Sequence, residues 1–359
     1  MRNCRSRPKK YKGWTKCMLC GRPLPQDPGD FCVGKTGRGV CYSCLQVAFR
    51  MQGMLKTEEE EVFCELSIVT PREIIARLDR AIIGQQEAKR AVAVALWKQQ
   101  LRARRRDAPP NAGLLLYGPT GCGKTALVRE AVKAAGLPFL CFDATTLTEA
   151  GYRGRDAREL VEDLIDRYSE EDASAGVIYL DEIDKLAARG GETRAQYQRG
   201  TQTSLLKLLE GNEVLNLDTS NILFLFGGAF PELTRQKKPP RRIGFGWASE
   251  ERAEKELRPE DFVAYGMEPE LMGRIGRCVP LHPLTESDLR RILLESELSV
   301  YRQYRAFFHK KGWEFELDAQ AVDELIRKTL ARGMGARGLN ALVEEWIEPK
   351  LLEIAEVTT

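Results

Sequence analysis

From residue 114 onward, uninterrupted apolar runs alternate with stretches in which apolar residues recur every three or four positions. Short uninterrupted runs are typical of strands that are buried on both faces of a parallel sheet. They cover residues 114–117, 177–180 and 221–226. The helically spaced stretches cover residues 129–135, 157–168 and 203–210. This alternation predicts an α/β fold built on a parallel sheet.

Near residue 284 the pattern becomes helical and stays so. Thr285 followed by Asp288 is a helix-capping pattern, and apolar residues then recur at helical spacing. Asp318 is suited to begin a further helix. We therefore expect a large domain over residues 71–283 and a smaller, mainly helical domain over residues 284–359.

Composition sets limits on the class of protein. The 359 residues are 43% hydrophobic and 30% charged, with a formal net charge of +3. This balance supports a buried core and excludes a chain that is disordered throughout. No stretch approaches the roughly 20 apolar residues of a membrane span, so we expect no membrane association. The basic N-terminus has no apolar stretch behind it, which predicts a cytoplasmic rather than a secreted protein.

The first fifty residues differ from the rest in charge and in cysteine content. They hold eleven Lys or Arg and two acids, a local net charge of +9. Two Cys-x-x-Cys pairs are separated by twenty residues, close to the spacing of structural zinc sites. The four cysteines are Cys17, Cys20, Cys41 and Cys44. Four thiolates complete a tetrahedral shell, so we predict a structural Zn²⁺ that supplies much of the folding free energy of a small module.

We expect this zinc module to cover residues 1–56, and Cys32 is an alternative candidate ligand whose participation the sequence leaves open. The alternative is a loop with ordinary reduced cysteines. Four consecutive glutamates then begin at Glu58, and a block of like charge remains solvated. We therefore predict a linker over residues 57–70.

Residues 118–125 match the phosphate-binding pattern G-x-x-x-x-G-K-[ST], between a predicted strand and a predicted helix. They are Gly118, Pro119, Thr120, Gly121, Cys122, Gly123, Lys124 and Thr125. Such a loop directs backbone N–H groups at phosphates, and the helix N-terminus favours their charge. Lys124 is expected to reach the β and γ phosphates, and Thr125 to bind Mg²⁺. The loop predicts a site for ATP or GTP.

The apolar run at 177–180 ends in Asp181 and Glu182. Carboxylates at the carboxyl end of a parallel strand lie beside the nucleotide site. We expect Asp181 to hold Mg²⁺ and Glu182 to orient and deprotonate the attacking water. The alternative is an acidic pair exposed on the surface.

Several further motifs stand in an order that resembles the ClpX-type AAA+ protein unfoldases of the Clp/Hsp100 group. Besides the cysteine module and the nucleotide motifs, the matching segments are Ile82-Ile-Gly-Gln-Gln-Glu-Ala-Lys89, Ala144-Thr-Thr-Leu-Thr-Glu-Ala-Gly-Tyr-Arg-Gly154, Leu180-Asp-Glu-Ile-Asp-Lys185, Met272-Gly-Arg274 and Gly335-Ala-Arg-Gly-Leu339. The resemblance implies an AAA+ large domain and an AAA+ small domain. It also implies a hexameric ring that hydrolyses ATP and pulls unfolded protein through its pore.

The resemblance also assigns residues to these activities. Gly151, Tyr152, Arg153 and Gly154 match the pore loop, in which glycines give an aromatic side chain freedom to press on a threaded chain. Ile243, Gly244 and Phe245 resemble the loop that docks on the ClpP peptidase. Arg274 matches an arginine finger that reaches the ATP of a neighbouring subunit, and Arg337 a sensor on the small domain. Ile82 and Ile83 match the segment around the adenine, although core packing explains them equally well.

The sequence departs from the family in two places. Residues 212–218 pass directly into the next strand, where the family usually has a longer basic loop that screens substrates. Residues 194–200, before this gap, resemble a second pore loop. The strand at 221–226 ends without an evident polar first-sensor side chain.

Three functions stay open from the sequence. The leading one is an ATP-dependent unfoldase and translocase that feeds a ClpP-type peptidase and has no proteolytic chemistry of its own. The second is a nucleic-acid-binding ATPase that reads its partner with the zinc module and the basic arm around Tyr11 and Trp14. A charge run is more often a solvated tail, so we expect no nucleic-acid partner. The third is a chaperone that acts without a peptidase.

Overall fold

The computed structural model describes residues 31–33, 39–41, 68–104, 108–109, 112–148, 155–168, 170–211, 213–214, 217–235 and 257–358. The chain divides into two compact units, residues 1–67 and 68–359, which we treat separately. In the first unit, strands β1 (Phe31–Val33) and β2 (Gly39–Cys41) pair antiparallel, with Phe31 opposite Cys41. Cys17, Cys20 and Cys44 lie outside the described residues, so the predicted zinc site stays a prediction.

The second unit is organised around a five-stranded parallel sheet. Its strands are β3 (Leu114–Tyr117), β4 (Phe139–Asp143), β5 (Val177–Asp181), β8 (Leu223–Gly228) and β9 (Arg277–Pro280). Their order across the sheet is β4-β5-β8-β3-β9. The two short strands β6 (Glu213–Val214) and β7 (Leu217–Asp218) form a separate antiparallel hairpin.

Both faces of the sheet are buried, which explains the uninterrupted apolar runs in the sequence. Successive side chains of a strand point to opposite faces. Leu115 and Tyr117 accordingly belong to one core cluster, and Leu114 and Leu116 to the other. The prediction of a parallel α/β sheet is confirmed.

One group of helices covers the sheet, and a second group forms the C-terminal part of the chain. Those of the large domain are α1 (Pro71–Ala81), α2 (Gln86–Ala103), α3 (Lys124–Ala135), α4 (Glu159–Arg167), α5 (Glu170–Ala173), α6 (Glu192–Leu209), α7 (Pro231–Arg235), α8 (Pro259–Tyr265) and α9 (Pro269–Ile275). The C-terminal helices are α10 (Glu286–Leu294), α11 (Val300–Lys310), α12 (Ala319–Arg332) and α13 (Gly335–Thr358). Short 3-10 helices within the described ranges cover Ala144–Thr146, Ile183–Leu186 and Thr219–Asn221.

The C-terminal helices surround a core of their own, which contains Phe308, Phe315 and Ile347. Two helix starts follow the sequence pattern. Thr285 and Asp288 form a reciprocal capping box at α10, and the Asp318 side chain accepts the Ala321 N–H at the start of α12. The predicted helical character of this region is confirmed.

Helix α6 is longer than the apolar spacing predicts, because its buried face is partly polar. It begins at Glu192 rather than near residue 203, so residues 194–200 are helical. The buried Gln198 donates from Nε2 to the Lys185 carbonyl at 2.9 Å, and Gln202 donates to the Leu186 carbonyl at 2.7 Å. These glutamines satisfy carbonyls of the segment after β5, and a search for apolar periodicity does not detect them.

The connection between α10 and α11 contacts the large domain at the end of α1. The Ser296 hydroxyl donates to the Ala81 carbonyl at 2.5 Å, and the Glu297 N–H to the Arg80 carbonyl at 3.0 Å. Among the described residues, every helix falls short of the length and apolarity that a bilayer crossing needs.

Candidate functional site

The loop over residues 118–125 connects β3 to α3, as the sequence predicts. Gly118 donates its N–H to the Gly228 carbonyl at 3.2 Å, which ties the loop to the neighbouring strand β8. Helix α3 begins at Lys124, so its first N–H groups open toward the loop. Cys122 is buried, and this burial raises the pKa of its thiol above the ordinary value. The thiol is therefore an uncharged packing group in the loop.

Lys124 is buried although it carries a charge. Its ammonium group donates to the carbonyls of Gly118 and Pro119, at 2.7 and 3.1 Å. Both acceptors belong to the loop itself, so the cation lies at the centre of the loop. A cation in this position matches the negative charge of a phosphate group.

Thr125 and Asp181 meet although they are 56 positions apart in the chain. The Thr125 hydroxyl donates directly to Oδ2 of Asp181. Asp181 ends β5, an interior strand that β8 separates from β3, and its carboxylate lies beside the start of α3. Tyr179, two residues earlier on β5, is fully buried, and burial raises its pKa well above the ordinary value.

Glu182 adopts a left-handed backbone conformation, with φ of 57°. Glutamate rarely adopts this conformation, which occurs preferentially at functional sites. The turn directs the chain away from the strand immediately after Asp181. The Glu182 side chain is exposed and lines the same cavity as Lys124.

Asp184 is a site residue that the sequence analysis did not single out. Its side chain is buried, and Oδ1 accepts the Ala229 N–H at 3.0 Å. Ala229 follows the last residue of β8 and lines the cavity, where the family resemblance predicts a polar sensor. The carboxylate of Asp184 therefore fixes the end of β8 at the cavity wall.

Arg337 reaches the cavity from the C-terminal helix α13, 213 positions after Lys124. The connection between the two segments is a backbone hydrogen bond, from the Ala336 N–H to the Gly121 carbonyl, at 3.0 Å. A Cβ on Gly121 would lie 2.1 Å from the Met334 carbonyl oxygen, and one on Gly335 would lie 2.6 Å from the Gly121 oxygen. Glycine at both positions therefore permits this close approach.

Together these segments enclose a cavity of about 340 Å³. The lining residues are Thr120, Gly121, Gly123, Lys124, Thr125, Ala126, Asp181, Glu182, Asp184, Lys185, Ala229, Ala336, Arg337 and Asn340. The lining combines three cationic and three anionic side chains. Cations match a polyphosphate, and the hydroxyl of Thr125 beside the carboxylate of Asp181 is an oxygen pair suited to Mg²⁺. The donor set and the volume fit a nucleotide bound with Mg²⁺.

Ile82 and Ile83 directly follow helix α1. They lie between Ala81, whose carbonyl accepts the Ser296 hydroxyl, and Gln85, which hydrogen-bonds to the backbone of His282. Both isoleucines are buried, and among the described cavity walls neither is present. The buried Lys89 donates to the Ile82 carbonyl and to Asp79, each at 2.6 Å. Gln85 donates to the His282 carbonyl at 2.8 Å and accepts the His282 N–H at 2.9 Å. This segment is thus firmly held, and its role toward an adenine stays a prediction.

Arg274 lies apart from this cavity. It is on α9, its side chain is 54% exposed, and its guanidinium is 3.4 Å from the Glu210 carboxylate at the end of α6. Since it is exposed and does not line the cavity of its own chain, a partner outside the chain could approach it.

The predicted pore loop and docking loop fall outside the described residues. These are Gly151, Tyr152, Arg153 and Gly154, and Ile243, Gly244 and Phe245. The residues that flank the first segment are described and are joined. The Thr148 N–H donates to the Arg155 carbonyl at 2.9 Å, and the Arg155 N–H to the Thr146 carbonyl at 3.3 Å. The residues on either side of this segment are therefore hydrogen-bonded to each other.

The short strands β6 and β7 lie within residues 212–218, where the sequence analysis expects a basic loop of the family to be missing. Glu213 pairs with Asp218 and Val214 with Leu217. The absence of a substrate-screening loop stays a prediction.

Two regions of the chain match the sequence models of known families. Residues 114–236 match AAA, the ATPase family associated with various cellular activities. Residues 284–355 match the C-terminal D2-small domain of ClpB protein. The first match contains the loop and both acidic residues, and the second contains Arg337.

Curated relatives extend the likeness over most of the chain. The ATP-dependent Clp protease ATP-binding subunit ClpX of Treponema denticola is 32% identical over 380 residues, covering 95% of this chain and 90% of that protein. Proteins of the same description from Borrelia duttonii and Azotobacter vinelandii are also 32% identical. They cover 98% and 94% of this chain, and 89% and 86% of their own lengths. The alignments thus include all the segments that enclose the cavity.

Proposed function

Because the chain belongs to the ClpX family of AAA+ ATPases, we propose that it is an ATP-dependent protein unfoldase and translocase that delivers substrates to a ClpP-type peptidase. The family makes the chain an ATPase that works with ATP and Mg²⁺. The relatives are named as ATP-binding subunits of a protease, which supports a peptidase as partner of this chain.

The observation that carries the proposal is the shared nucleotide cavity. Its walls come from the phosphate-binding loop of the large domain and from Arg337 of the helical domain. A ligand that contacts both walls differently before and after hydrolysis changes the relative populations of domain arrangements. Such a change is the mechanical step that an unfoldase needs.

Within this cavity we assign the following roles. Lys124 neutralises the charge of the phosphates, and the backbone N–H groups of residues 121–125 bind their oxygens. Thr125 and Asp181 hold Mg²⁺, which supplies charge neutralisation at the phosphates when bound. Glu182 orients water and accepts its proton, because its side chain faces the cavity beside Asp181.

Arg274 acts on a second copy of the chain. Its exposure and its distance from the cavity of its own chain support a role as an arginine finger in a ring, most simply a hexamer. A planar guanidinium can stabilise the charge that develops on the transferred phosphoryl group. Hydrolysis then depends on assembly.

Tyr152, between Gly151 and Gly154, grips the substrate, and Ile243 and Phe245 dock on the peptidase. The hydrogen bonds between the flanking residues Thr148 and Arg155 support the first role, because they attach both ends of this segment to the domain that binds the nucleotide. An apolar pair on a basic, proline-rich segment is suited to hydrophobic pockets on a partner.

The four cysteines of the N-terminal module bind Zn²⁺ as a structural ion. Their paired spacing supports this proposal. Metal analysis of the purified protein should find one zinc per chain, and Cys17→Ser should reduce it. A full zinc content in Cys17→Ser with Cys20→Ser would contradict the assignment.

The test of the overall function combines the protein with ATP, Mg²⁺, a fluorescent folded protein and a ClpP-type peptidase. We expect fluorescence to fall and peptides to appear only when ATP is hydrolysed. Tyr152→Ala should stop the loss of fluorescence but keep ATP binding. Phe245→Ala should keep the loss of fluorescence but release no peptides.

The outcomes separate the three functions. Loss of fluorescence without peptides, unaffected by Phe245→Ala, would indicate a chaperone that acts without a peptidase. ATP turnover stimulated by DNA or RNA, and lost steeply as salt rises, would indicate a nucleic-acid partner. ATP turnover without loss of fluorescence and without stimulation by DNA or RNA would refute the unfoldase function.

A further inference from the structure

The hydroxyl of Tyr179 reaches the candidate magnesium ligand from within the protein core. Tyr179 is 0% exposed, and its ring belongs to the core cluster on one face of the sheet. Its hydroxyl donates to Oδ1 of Asp181 at 3.3 Å. A buried hydroxyl needs a polar partner, and here the partner is a carboxylate at the cavity wall.

The two oxygens of Asp181 have different partners. Oδ1 accepts the Tyr179 hydroxyl and also the Glu182 N–H, at 3.0 Å. Oδ2 accepts the Thr125 hydroxyl. Two donors on Oδ1 hold the carboxylate against rotation about its side-chain bond. Oδ2 is thereby kept on the side of Thr125 and the cavity.

The neighbouring strand leaves room for this contact because residue 227 is glycine. A Cβ at Gly227 would lie 1.9 Å from the Tyr179 hydroxyl oxygen, 2.7 Å from the ring carbon that bears it, and 2.9 Å from Oδ1 of Asp181. Any side chain here would displace both groups. Gly227 on β8 therefore leaves the space in which the Tyr179 hydroxyl on β5 hydrogen-bonds to Asp181.

We propose that Tyr179 is a positioning residue that orients Asp181 for Mg²⁺, with Gly227 providing the space. The inference rests on the proposed role of Asp181 as a magnesium ligand. Groups that hydrogen-bond to a ligating carboxylate fix its orientation, and their loss typically lowers metal affinity by about 10-fold or more. A tyrosine that only fills the core would have no such effect.

The test measures Mg²⁺ dependence rather than activity alone. We would determine the affinity for a fluorescent ATP analogue in EDTA and across a Mg²⁺ titration, in the full-length protein. Tyr179→Phe keeps the ring and removes the hydroxyl. In EDTA we expect the affinity of this variant for the ATP analogue to equal that of the wild type. The Mg²⁺ concentration that gives half of the Mg²⁺-dependent increase in this affinity should be about 10-fold higher.

Tyr117→Phe is the matched control. Tyr117 is also buried, on β3 of the same sheet, and its hydroxyl accepts the Leu257 N–H at 3.1 Å. This variant should lose thermal stability without changing the Mg²⁺ requirement. Equal loss of nucleotide affinity in EDTA and in Mg²⁺ for Tyr179→Phe would overturn the proposal, as would an unchanged Mg²⁺ requirement.

Two more variants keep the result interpretable. Asp181→Asn tests the premise that Asp181 binds Mg²⁺. If this variant has the wild-type Mg²⁺ requirement, the magnesium site is refuted. If Asp181→Asn raises the Mg²⁺ requirement but Tyr179→Phe does not, only the role of Tyr179 is refuted. Gly227→Ala retains the hydroxyl but displaces it, and should raise the Mg²⁺ requirement at least as much as Tyr179→Phe. A normal requirement in Gly227→Ala would count against the proposal even if Tyr179→Phe failed to fold.

Discussion

The two walls of the nucleotide cavity are built in different ways. On the large-domain wall, Lys124 begins a helix and Asp181 ends a strand, and both elements are anchored in a sheet that is buried on both faces. On the other wall, Arg337 is in the first turn of α13, which touches the loop through the hydrogen bond from Ala336 to Gly121.

This difference separates the chemical role of the cavity from its mechanical role. The large-domain wall can hold catalytic groups in fixed positions, because displacing them would disturb closely packed cores. The small-domain wall meets the loop at a backbone contact between glycines, and in the proposed mechanism this wall moves as the ligand changes. The comparison predicts that substitutions on the first wall alter catalysis and those on the second alter nucleotide affinity and domain coupling.

The largest effect is expected for Glu182→Gln, on the large-domain wall. The amide keeps the size of the side chain but cannot accept a proton from water. We expect steady-state ATP turnover to fall by at least about 100-fold, while the affinity for a fluorescent ATP analogue changes little. A parallel loss of affinity would mean that Glu182 contributes to binding, and the division between the walls would then fail.

Arg337→Ala should have the next largest effect, because it removes a cation that lines the cavity from the second wall. A hydrogen bond to a charged group contributes about 2 kcal/mol, which corresponds to roughly a 30-fold loss in kcat/KM for ATP. Arg337→Lys, which keeps the charge but not the planar geometry, should lie between this variant and wild type. Equal kinetics for Arg337→Ala and wild type would remove Arg337 from the site.

Gly335→Ala tests the contact between the walls and has a matched control. Gly335 and Gly333 have φ of +58° and +63°, so alanine causes similar backbone strain at each. A Cβ at Gly335 would lie 2.6 Å from the Gly121 oxygen, whereas Gly333 has nothing within 4 Å. We expect Gly335→Ala to weaken nucleotide binding about 5-fold more than Gly333→Ala does. The two variants should lower the melting temperature by similar amounts. Equal nucleotide affinities would show that the contact is dispensable.

The sequence predicts the first wall well because its chemistry is carried by contiguous residues. The loop, the run that ends in Asp181 and the helix start at Thr285 are each defined within a few positions, and the structure has them where the pattern indicates. Arg337 is different, because an isolated arginine has no local pattern. Its place at the cavity was expected only through the resemblance of Gly335-Ala-Arg to the family.

Residues that act through tertiary contacts cannot be identified from the hydrophobic pattern of the sequence. Tyr179 belongs to an apolar run, so periodicity assigns it to the core, and its hydroxyl becomes informative only beside Asp181 and Gly227. Asp184 follows two other carboxylates, yet it is buried against the end of β8. Apolar spacing predicts a late start for α6 because Gln198 and Gln202 are buried polar residues. In each case a partner distant in sequence determines the role.

The smallest effect is expected at Glu210, which pairs with Arg274 outside both walls. The exposed pair, 3.4 Å apart, contributes about 0 to 1 kcal/mol, and salt weakens it. If Arg274 acts on a neighbouring subunit, Glu210→Gln releases it and should raise ATP turnover up to about 5-fold at low protein concentration, less in high salt. The control is Glu295→Gln, which breaks a similarly exposed pair with Arg291, 3.0 Å apart, and should leave turnover unchanged. Equal turnover in both variants at every protein and salt concentration would mean that the ion pair does not restrain Arg274.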